Sequence, residues 1–402
     1  MSSARRSLRG NPKEQAGRHA SRSPVCHQND TPRQPTLYAR AGMLGPTTES
    51  ESRGGTHLTR KLAIVLALIA SLALSASSGA GASGSKATGG SLTGAGSTFV
   101  SKLVQAWVPK VDGALGIKVT YGPIGSGGGI SQITNRTVDF GASDAPLSPD
   151  QFAACKGCVQ IPWALSATSI PYRLDGGPNR IRLNGKVLAD IFLGKIKTWD
   201  APAVKGLNKG KTIPNTSITV IHRSDGSGTT YNMTDYLSRV SSEWKSRVGR
   251  GTAVNWPTGV GGRGSSGVSA ALSQTNGGIT YVDVAFSLVN HFKFAAIQNK
   301  AGVFALPGLK GIAAAAKTIN RVAPDNGGIS IVNPAKSQAL AYPICTFTYV
   351  IIPKQTSKAA DLKRFVRWTL TSGQQDGPKL LFQPIPKVVL KASLKTLNLV
   401  HS

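Results

Sequence analysis

The sequence predicts an α/β protein, and three observations carry this prediction. Apolar strand-like runs alternate with helical stripes along most of the chain after residue 91. The chain contains 46 Gly and only 6% aromatic residues, a composition that fits many tight loops. Its 402 residues are enough for two domains. Strands that alternate with helices imply mostly parallel sheets with helices on both faces.

The elements follow from local patterns, taken in chain order. Apolar residues spaced by three and four over residues 100–111 predict the first helix, with Ser97 or Thr98 as its N-cap. Pro149 stands at a predicted helix start. Other apolar runs predict strands at 116–121, 138–142, 159–174, 217–223 and 342–354, and a strand or strand-to-helix unit at 276–288. Further helices are predicted at 130–137, 184–199, 358–371 and 384–397.

The first 90 residues precede this pattern. Residues 1–58 are rich in Arg, Ser and Pro and lack apolar periodicity, which indicates a disordered basic extension or a misassigned start upstream of Met43. Residues 59–82 combine a basic pair, an apolar run of roughly 15 residues and small residues, and this predicts a signal peptide. Residues 83–90 form a Gly/Ser-rich linker. The signal peptide implies an exported protein that is periplasmic, extracellular or at the cell surface, and no Cys directly follows the apolar run to serve as a lipid-attachment site.

The chain is strongly basic, with a formal net charge of +29. The first 82 residues hold 11 Lys and Arg against 4 Asp and Glu, so a charge of +22 remains on the rest. Such a surface attracts anions of every kind, from phosphate to nucleic acid, wall polymers and anionic lipid. The charge alone therefore does not identify the partner.

The chain has four cysteines. Cys26 lies in the basic extension, and Cys155 and Cys158 form a CKGC sequence. In an exported chain this pair favours a small structural disulfide over a redox pair or a metal site. Cys345 lies in an apolar run and is predicted to be a buried free thiol.

Three polar loops share one design, in which a strand leads through a Gly/Ser/Thr-rich turn into a helix. They cover residues 94–99, 122–130 and 223–230. The carboxyl ends of parallel strands lie on one edge, so such loops can converge in one crevice. Helix N-termini offer unpaired N–H groups and a positive dipole end, and Arg223 adds a charge. The pattern predicts a site for a tetrahedral oxyanion.

Other motifs are weaker. Residues 206–212, GLNKGKT, resemble a nucleotide-binding loop but are one residue short between the glycines and precede a strand, so we predict a surface turn. No Ser lies in a G-x-S-x-G elbow. The six His are scattered without metal-ligand spacing. We therefore expect no catalytic residues, no metal site and no cofactor.

Six ordered motifs resemble those of the periplasmic phosphate-binding proteins of ABC transporters. They are LTGAGSTF, YGPIGSGGGI, VDFGASDAPLS, DIFLGKIKTWD, SDGSGTT and NWPTGVGGRGSSGV. The similarity runs from about residue 91 to near the C-terminus and is looser after about residue 286. It implies a two-lobed, type II periplasmic-binding-protein fold, each lobe a mostly parallel sheet flanked by helices, with crossing hinge strands. Lobe 1 would be residues 91–167 plus 346–402, and lobe 2 residues 168–345.

The resemblance also implies a set of phosphate contacts. By motif they are Thr98, the backbone of Phe99, Ser126, Asp144, Arg223, Ser227, Gly228 and Thr229. Asp225 stands where the family braces the Arg. The departures from the family are the missing lipid-attachment Cys, the CKGC sequence and the basic surface.

Asp144 has a chemical rationale in such a site. Near neutral pH phosphate keeps a proton, whereas sulfate does not, and an ionised Asp can only accept a hydrogen bond. Asp144 would therefore accept a hydrogen bond from the phosphate O–H. With sulfate, the carboxylate oxygen and a sulfate oxygen would both be acceptors, and this unpaired contact would cost a few kcal/mol of binding free energy. Alternatively, Asp144 caps a helix from Pro146 onward, and Arg223–Asp225 is a plain surface ion pair.

We therefore expect an exported solute-binding protein that captures inorganic phosphate in an interlobe cleft and delivers it to the membrane permease of an ABC transporter. It would be a monomer with no nucleic-acid partner and no enzymatic activity. The alternatives are a secreted phosphatase and a polyanion- or wall-polymer-binding protein on the same scaffold. Turnover of a phosphomonoester would favour the first, and binding that fades with salt but survives substitution of Asp144 and Arg223 would favour the second.

Overall fold

The structure is a computed structural model that describes residues 89–323 and 327–402. The predicted extension (1–58) with Cys26, the predicted signal peptide (59–82) and all but the end of the linker (83–90) lie outside the described residues. Among the helices of the described ranges, none has the length and apolar character that a bilayer crossing requires.

The described residues form alternating strands and helices. The strands are β1 (Ser91–Gly96), β2 (Lys118–Gly122), β3 (Phe140–Ser143), β4 (Cys158–Ser169), β5 (Pro171–Tyr172), β6 (Arg182–Leu183), β7 (Thr219–Arg223), β8 (Val260–Gly262), β9 (Gly278–Ile279), β10 (Val282–Asp283), β11 (Lys293–Phe294), β12 (Ala296–Gln298), β13 (Phe304–Ala305) and β14 (Cys345–Pro353). The α-helices are α1 (Ser101–Leu115), α2 (Ser126–Thr134), α3 (Pro149–Ala154), α4 (Gly185–Phe192), α5 (Pro202–Leu207), α6 (Gly228–Val240), α7 (Ser242–Arg247), α8 (Gly264–Gln274), α9 (Val284–Val289), α10 (Leu309–Ala316), α11 (Ala359–Leu370) and α12 (Lys387–Leu397). Two short 3-10 helices are Ser372–Asp376 and Pro378–Leu380.

A six-stranded sheet carries the first three predicted strand exits. Its order is β10-β4-β14-β3-β1-β2. Strand β1 pairs in parallel with both β2 and β3, so these three strands end at the same edge. Strand β14 pairs antiparallel with β3 and β4, and β10 pairs antiparallel with the end of β4.

The two longest strands, β4 and β14, run side by side through the interior. Their pairing extends from Cys345 opposite Ala167 to Pro353 opposite Cys158. Every residue of both strands is buried, as their apolar sequences require. They form the central pair of strands against which helices of both halves of the chain pack.

A second sheet carries the remaining strand exits. It has five strands in the order β11-β5-β9-β7-β8, and β7 pairs in parallel with both β8 and β9. A smaller three-stranded sheet has the order β13-β12-β6. All three sheets contain both parallel and antiparallel pairs, whereas the alternation of strands and helices predicted mostly parallel sheets. The strands that lead into the polar loops are parallel, whereas the long strand β14, which follows an extended connection, returns antiparallel.

The first helix shows one success and one error of the sequence reasoning. Its apolar stripe is buried, and the Trp107 ring packs edge-on against Trp163 at a centroid distance of 5.3 Å. The predicted N-cap is wrong: the helix begins at Ser101 after Val100, and no side chain caps it. Ser97 Oγ instead accepts the N–H of Phe99 and contacts a carboxylate, which removes it from the capping position.

Candidate anion-binding site

The predicted loops meet at the edge where the parallel strands end. Thr98 follows β1, Ser126 follows β2 and Asp144 follows β3 directly. The register brings Gly96 of β1 beside Ala142 of β3, so the Thr98 and Asp144 loops leave the sheet together. The β7 exit, which begins with Arg223, approaches from the second sheet.

Asp144 is almost completely buried, with 1% of its surface exposed. Ser97 Oγ donates to Asp144 Oδ1, and the Asp144 N–H donates to Ser126 Oγ at 3.3 Å. Burial raises the pKa of Asp144 to about 7, although the Ser97 hydroxyl and the Arg223 charge oppose the rise. Asp144 does not cap a helix, since α3 begins at Pro149 and Ser148 is its N-cap. The carboxyl group is therefore free of a structural capping role.

Arg223 and Asp225 form a buried ion pair rather than a surface one. Their side chains are 2% and 11% exposed. Arg223 Nε donates to Asp225 Oδ1 at 2.6 Å, and Nη2 donates to Oδ2. Burial alone would raise the pKa of Asp225, but the guanidinium and the Gly264 N–H hold it below its ordinary value. This two-bond geometry fixes the plane of the guanidinium group.

The N-terminus of α6 completes the arrangement. Ser227 is the N-cap, and its Oγ accepts the Thr230 N–H at 3.1 Å. The first amides of the helix, those of Gly228 and Thr229, have no intrahelical acceptor. Thr229 Oγ1 is buried without a hydrogen-bond partner of ordinary geometry, yet it lies near enough to Asp144 to lower the pKa of that carboxyl. The N-terminus of α6 thus holds unpaired donors close to Asp144.

The backbone N–H of Phe99, which was expected to contact phosphate, donates a hydrogen bond within the protein instead. Its N–H donates to Ser97 Oγ at 3.0 Å, so it is occupied in this structure. Its ring is buried and packs edge-on against Phe382 at 6.0 Å. The residue lies beside the site, and an anion would have to take its N–H from Ser97.

Close contacts join the two groups of loops. Gly127 N–H donates to the Gly226 carbonyl at 2.8 Å. A Cβ on Gly228 would lie 2.6 Å from the Asp144 amide nitrogen and 2.7 Å from Ser126 Oγ. The α6 N-terminus therefore lies against Asp144 and Ser126.

The sequence reasoning missed four residues that support this region. Ser97 donates to Asp144, Tyr281 Oη accepts the Arg223 N–H at 3.0 Å, and Ser265 contacts Thr98 at 2.9 Å. Ser265 Oγ is hydrogen-bonded in turn to Asp283 Oδ2 at 3.1 Å. Ser265 belongs to the quoted GRGSSG sequence, but nothing local distinguished it from the exposed Ser266.

The remaining predicted features lie outside the site. Cys155 and Cys158 form a disulfide, and Cys345 is a buried free thiol, as predicted. Burial raises the pKa of the Cys345 thiol far above its ordinary value. Residues 206–212 end α5 and continue as a largely exposed turn. In the part of the chain that the structure describes, no group of three or more His, Cys, Asp or Glu could hold a metal ion.

Comparisons with known proteins show the family of this chain. Residues 81–372 match the family model of a PBP superfamily domain. The phosphate-binding protein PstS of Xylella fastidiosa strain Temecula1 is 40% identical over 304 residues, which cover 75% of this chain and 83% of that protein. The PstS protein of Pasteurella multocida is 38% identical over 307 residues, covering 75% and 88% of the two chains.

Solved structures show the same fold at lower identity. A high-affinity periplasmic phosphate-binding protein, PfluDING, solved with bound phosphate, is 21% identical with a TM-score of 0.61 over 76% of this chain and 93% of that chain. A phosphate-binding protein from Stenotrophomonas maltophilia is 19% identical with a TM-score of 0.59 over 76% and 93%. The chain therefore belongs to the PBP superfamily and, within it, to the family of the PstS phosphate-binding proteins.

Proposed function

We propose that this protein captures inorganic phosphate in the site around Asp144 and Arg223 and delivers it to the membrane permease of an ABC transporter. Membership in the PstS family supports the assignment of phosphate as the ligand. The observation that carries the proposal is the joint burial of one carboxyl group, one guanidinium group and the unpaired N-terminus of α6. This combination suits an anion that still carries a proton.

The proposed contacts divide into donors and one acceptor. The donors are the hydroxyls of Thr98, Ser126, Ser227 and Thr229, the amides of Phe99, Gly228 and Thr229, and the Arg223 guanidinium. Asp225 holds Arg223 in plane and offsets part of its charge, so the anion can also leave. The unpartnered Thr229 Oγ1 supports this assignment, because a buried hydroxyl without a partner costs free energy until a ligand pairs with it.

Asp144 is the proposed acceptor of the phosphate proton. Above a pH of about 7 it is mainly ionised and can only accept. Phosphate then supplies the single proton between the two groups. Sulfate cannot supply it, and two acceptors would face each other in a site closed to water. Asp144 is therefore the proposed basis of discrimination between the two anions.

We further propose the division into lobes at residues 91–167 plus 346–402 and 168–345. Three contacts would then cross between the lobes: Gly127 to Gly226, Thr98 to Ser265, and Gly228 against Asp144. Each lies beside the proposed anion. Binding would then favour a closed arrangement of the lobes, because the anion adds hydrogen bonds to both sides of this contact.

The remaining assignments are proposals of the same kind. We infer export through the signal peptide at residues 59–82, a monomeric state, and binding without chemical conversion of the ligand. The family is one of phosphate-binding transport proteins, which supports the last point. The proposed ligand needs neither a metal nor a cofactor.

Calorimetry with phosphate, arsenate and sulfate tests the proposal. We expect phosphate and arsenate to bind and sulfate to bind at least a hundredfold more weakly, because a lost charged hydrogen bond costs about 3 kcal/mol. Arg223→Lys keeps the charge but loses the two-bond geometry, and should weaken phosphate binding. Arg263→Lys, at an exposed position, is the control. Equal affinity for phosphate and sulfate, or turnover of a phosphomonoester, would refute the proposal.

A further inference from the structure

A buried carboxyl group, Asp283, lies behind the candidate site and is joined to it by two hydroxyl groups. Asp283 is 0% exposed at the end of β10. Ser265 Oγ lies 3.1 Å from Asp283 Oδ2 and 2.9 Å from Thr98 Oγ1. The Ser265 N–H also donates to Thr98 Oγ1 at 3.2 Å. These contacts form a continuous hydrogen-bonded chain that ends at a residue proposed to contact the anion.

The other oxygen of Asp283 is already committed. Asp283 is the N-cap of α9, and its Oδ1 accepts the Phe286 N–H at 2.9 Å. A proton on Oδ1 would face that backbone donor. When Asp283 is neutral, its proton is therefore confined to Oδ2, the oxygen that faces Ser265.

The protonation of Asp283 sets the direction of every hydrogen bond in the chain, because each hydroxyl has one proton. If Asp283 is ionised, Ser265 donates to Asp283 and Thr98 donates to Ser265. The Thr98 proton then points away from the anion. If Asp283 is neutral, it donates to Ser265, and Ser265 donates to Thr98. Thr98 Oγ1 then accepts from both the hydroxyl and the N–H of Ser265, and its own proton is left for the anion.

The surroundings of Asp283 favour the neutral form. Burial raises the pKa of Asp283 to about 8, and the nearby Asp144 charge adds to the rise. Neither α9 nor β4, which both pack against β10, contains a charged residue. Helix α8, which also packs against β10, contains no charged residue either; Arg263 directly precedes it, and Lys102 of α1 lies over the Phe286 ring of α9. Within the described residues, neither of these side chains forms an ion pair with Asp283.

We propose that neutral Asp283 is a positioning residue that, through Ser265, turns the Thr98 hydroxyl proton toward the bound anion. This inference rests on the proposed phosphate site. It adds a requirement for a second buried carboxyl group, one that does not touch the ligand. Phosphate affinity should then fall when Asp283 ionises.

Two substitutions test the proposal by calorimetry with inorganic phosphate between pH 6.5 and 9.5. Asp283→Asn can keep the Phe286 contact through Oδ1 and donate to Ser265 through Nδ2 at every pH. We expect its affinity to match the wild type within about threefold at pH 6.5 and to exceed it by about tenfold at pH 9.5. The ratio of the two proteins cancels the ionisation of phosphate, which is the same in both titrations. Ser265→Ala should bind about tenfold more weakly at pH 6.5 and lose this deficit at pH 9.5.

Ser269→Ala is the matched control, because Ser269 lies on the same helix, is buried and has no partner for its Oγ. It should follow the wild type at every pH. A ratio of Asp283→Asn to wild type that stays constant with pH would overturn the inference, as would tenfold weaker binding of that variant at pH 6.5. If Asp283→Asn does not fold, the pH profile of Ser265→Ala decides. A wild-type protein that does not bind phosphate at pH 6.5 would instead refute the proposed function.

Discussion

Gly228, the first residue of α6, lies directly against Asp144. A Cβ atom on Gly228 would lie 2.6 Å from the Asp144 amide nitrogen and 2.7 Å from Asp144 Cβ. The nearest of these atoms belongs to the backbone and cannot rotate away as the end of a side chain can. The helix N-terminus therefore reaches the acidic side of the site only because residue 228 has no side chain.

Gly228→Ala should block the close approach of α6 to Asp144 and weaken phosphate binding. An overpacked contact costs about 1–3 kcal/mol, which corresponds to roughly a ten- to hundredfold loss of affinity. The protein should still fold, because separation of the two proposed lobes relieves the contact. Calorimetry measures the affinity, and thermal unfolding without ligand measures the stability.

The control for this variant is Gly113→Ala. Gly113 lies in α1, and nothing would lie within 4 Å of its Cβ. We expect unchanged affinity and a gain in stability of about 0.5–1 kcal/mol from helix propensity. If Gly228→Ala binds phosphate as the wild type does, α6 is not part of the site.

Asp144→Asn should reduce the discrimination between phosphate and sulfate. The amide can donate to either anion, so phosphate loses its specific acceptor and sulfate loses an opposed one. We expect phosphate to weaken and sulfate to bind more tightly, with a ratio that changes by at least about tenfold. Competition calorimetry at pH 8 measures both. Equal changes for the two anions would contradict the proposed role.

The same reasoning gives a pH dependence for the wild-type protein. The pKa of Asp144 is raised to about 7, so below that pH the carboxyl is mainly neutral and can donate a hydrogen bond. Sulfate affinity should therefore rise as the pH falls from 8 to 6. Asp144→Asn should show no such rise in the same titration. A wild-type sulfate affinity that is constant over this range would refute this explanation.

The stability of the phosphate-free protein should also depend on Asp144. Burial raises its pKa in the folded state to about 7, against an ordinary value of 3.8. A raised pKa means that the folded state binds more protons between these values, so the contribution is complete below about pH 4 and is lost as the pH rises through 7. The shift corresponds to a loss of about 4 kcal/mol at most. Urea unfolding of the wild type and Asp144→Asn should therefore converge at low pH and diverge at pH 8; parallel curves would contradict it.

Local patterns predicted α1, the long strands β4 and β14 and the closing helices α11 and α12, because these depend on neighbours in sequence, but they did not predict short elements such as α5, α7 and α10. The apolar stripe of α1 and the start of α3 at Pro149 are each determined by residues within a few positions of one another in the sequence. The loops of the site were also predictable, since each follows its strand directly. The direction of β14 was not, because it depends on how a long connection returns the chain to the sheet.

The contact between Thr98 and Ser265 could not be predicted from the sequence for a related reason. Thr98 and Ser265 are 167 positions apart in the sequence, and no local pattern reports such a contact. Ser265 is buried while Ser266 is exposed, and only the packing of α8 decides which of the two faces Thr98. The residues that would touch the anion follow from motifs, whereas the residues that orient them follow from the tertiary structure.

Thr229→Ala should weaken phosphate binding without destabilising the protein. Thr229 Oγ1 is buried and forms no hydrogen bond of ordinary geometry within the described residues, so its removal breaks none, although Asp144 loses a neighbouring hydroxyl that lowers its pKa. A lost hydrogen bond to a charged ligand corresponds to about 1.5–3 kcal/mol, or roughly a ten- to hundredfold loss of affinity. Ser238→Ala is the control, because Ser238 Oγ on the same helix is also buried and unpartnered. An unchanged dissociation constant for Thr229→Ala would remove this residue from the site.

Removal of the disulfide should affect stability but not binding. Cys155 and Cys158 are separated by only 3 positions and join the end of α3 to β4. A loop this short restricts the unfolded chain little, so the double variant to Ser should lose about 2 kcal/mol of unfolding free energy. Both cysteines pack in a small cluster with Ile130 and Ile133, which lie about one and two turns beyond Ser126 along α2, so the N-terminus of that helix should keep its geometry. Urea unfolding and phosphate calorimetry on the same samples separate the two effects, and a tenfold loss of affinity at unchanged folding would show that the disulfide shapes the site.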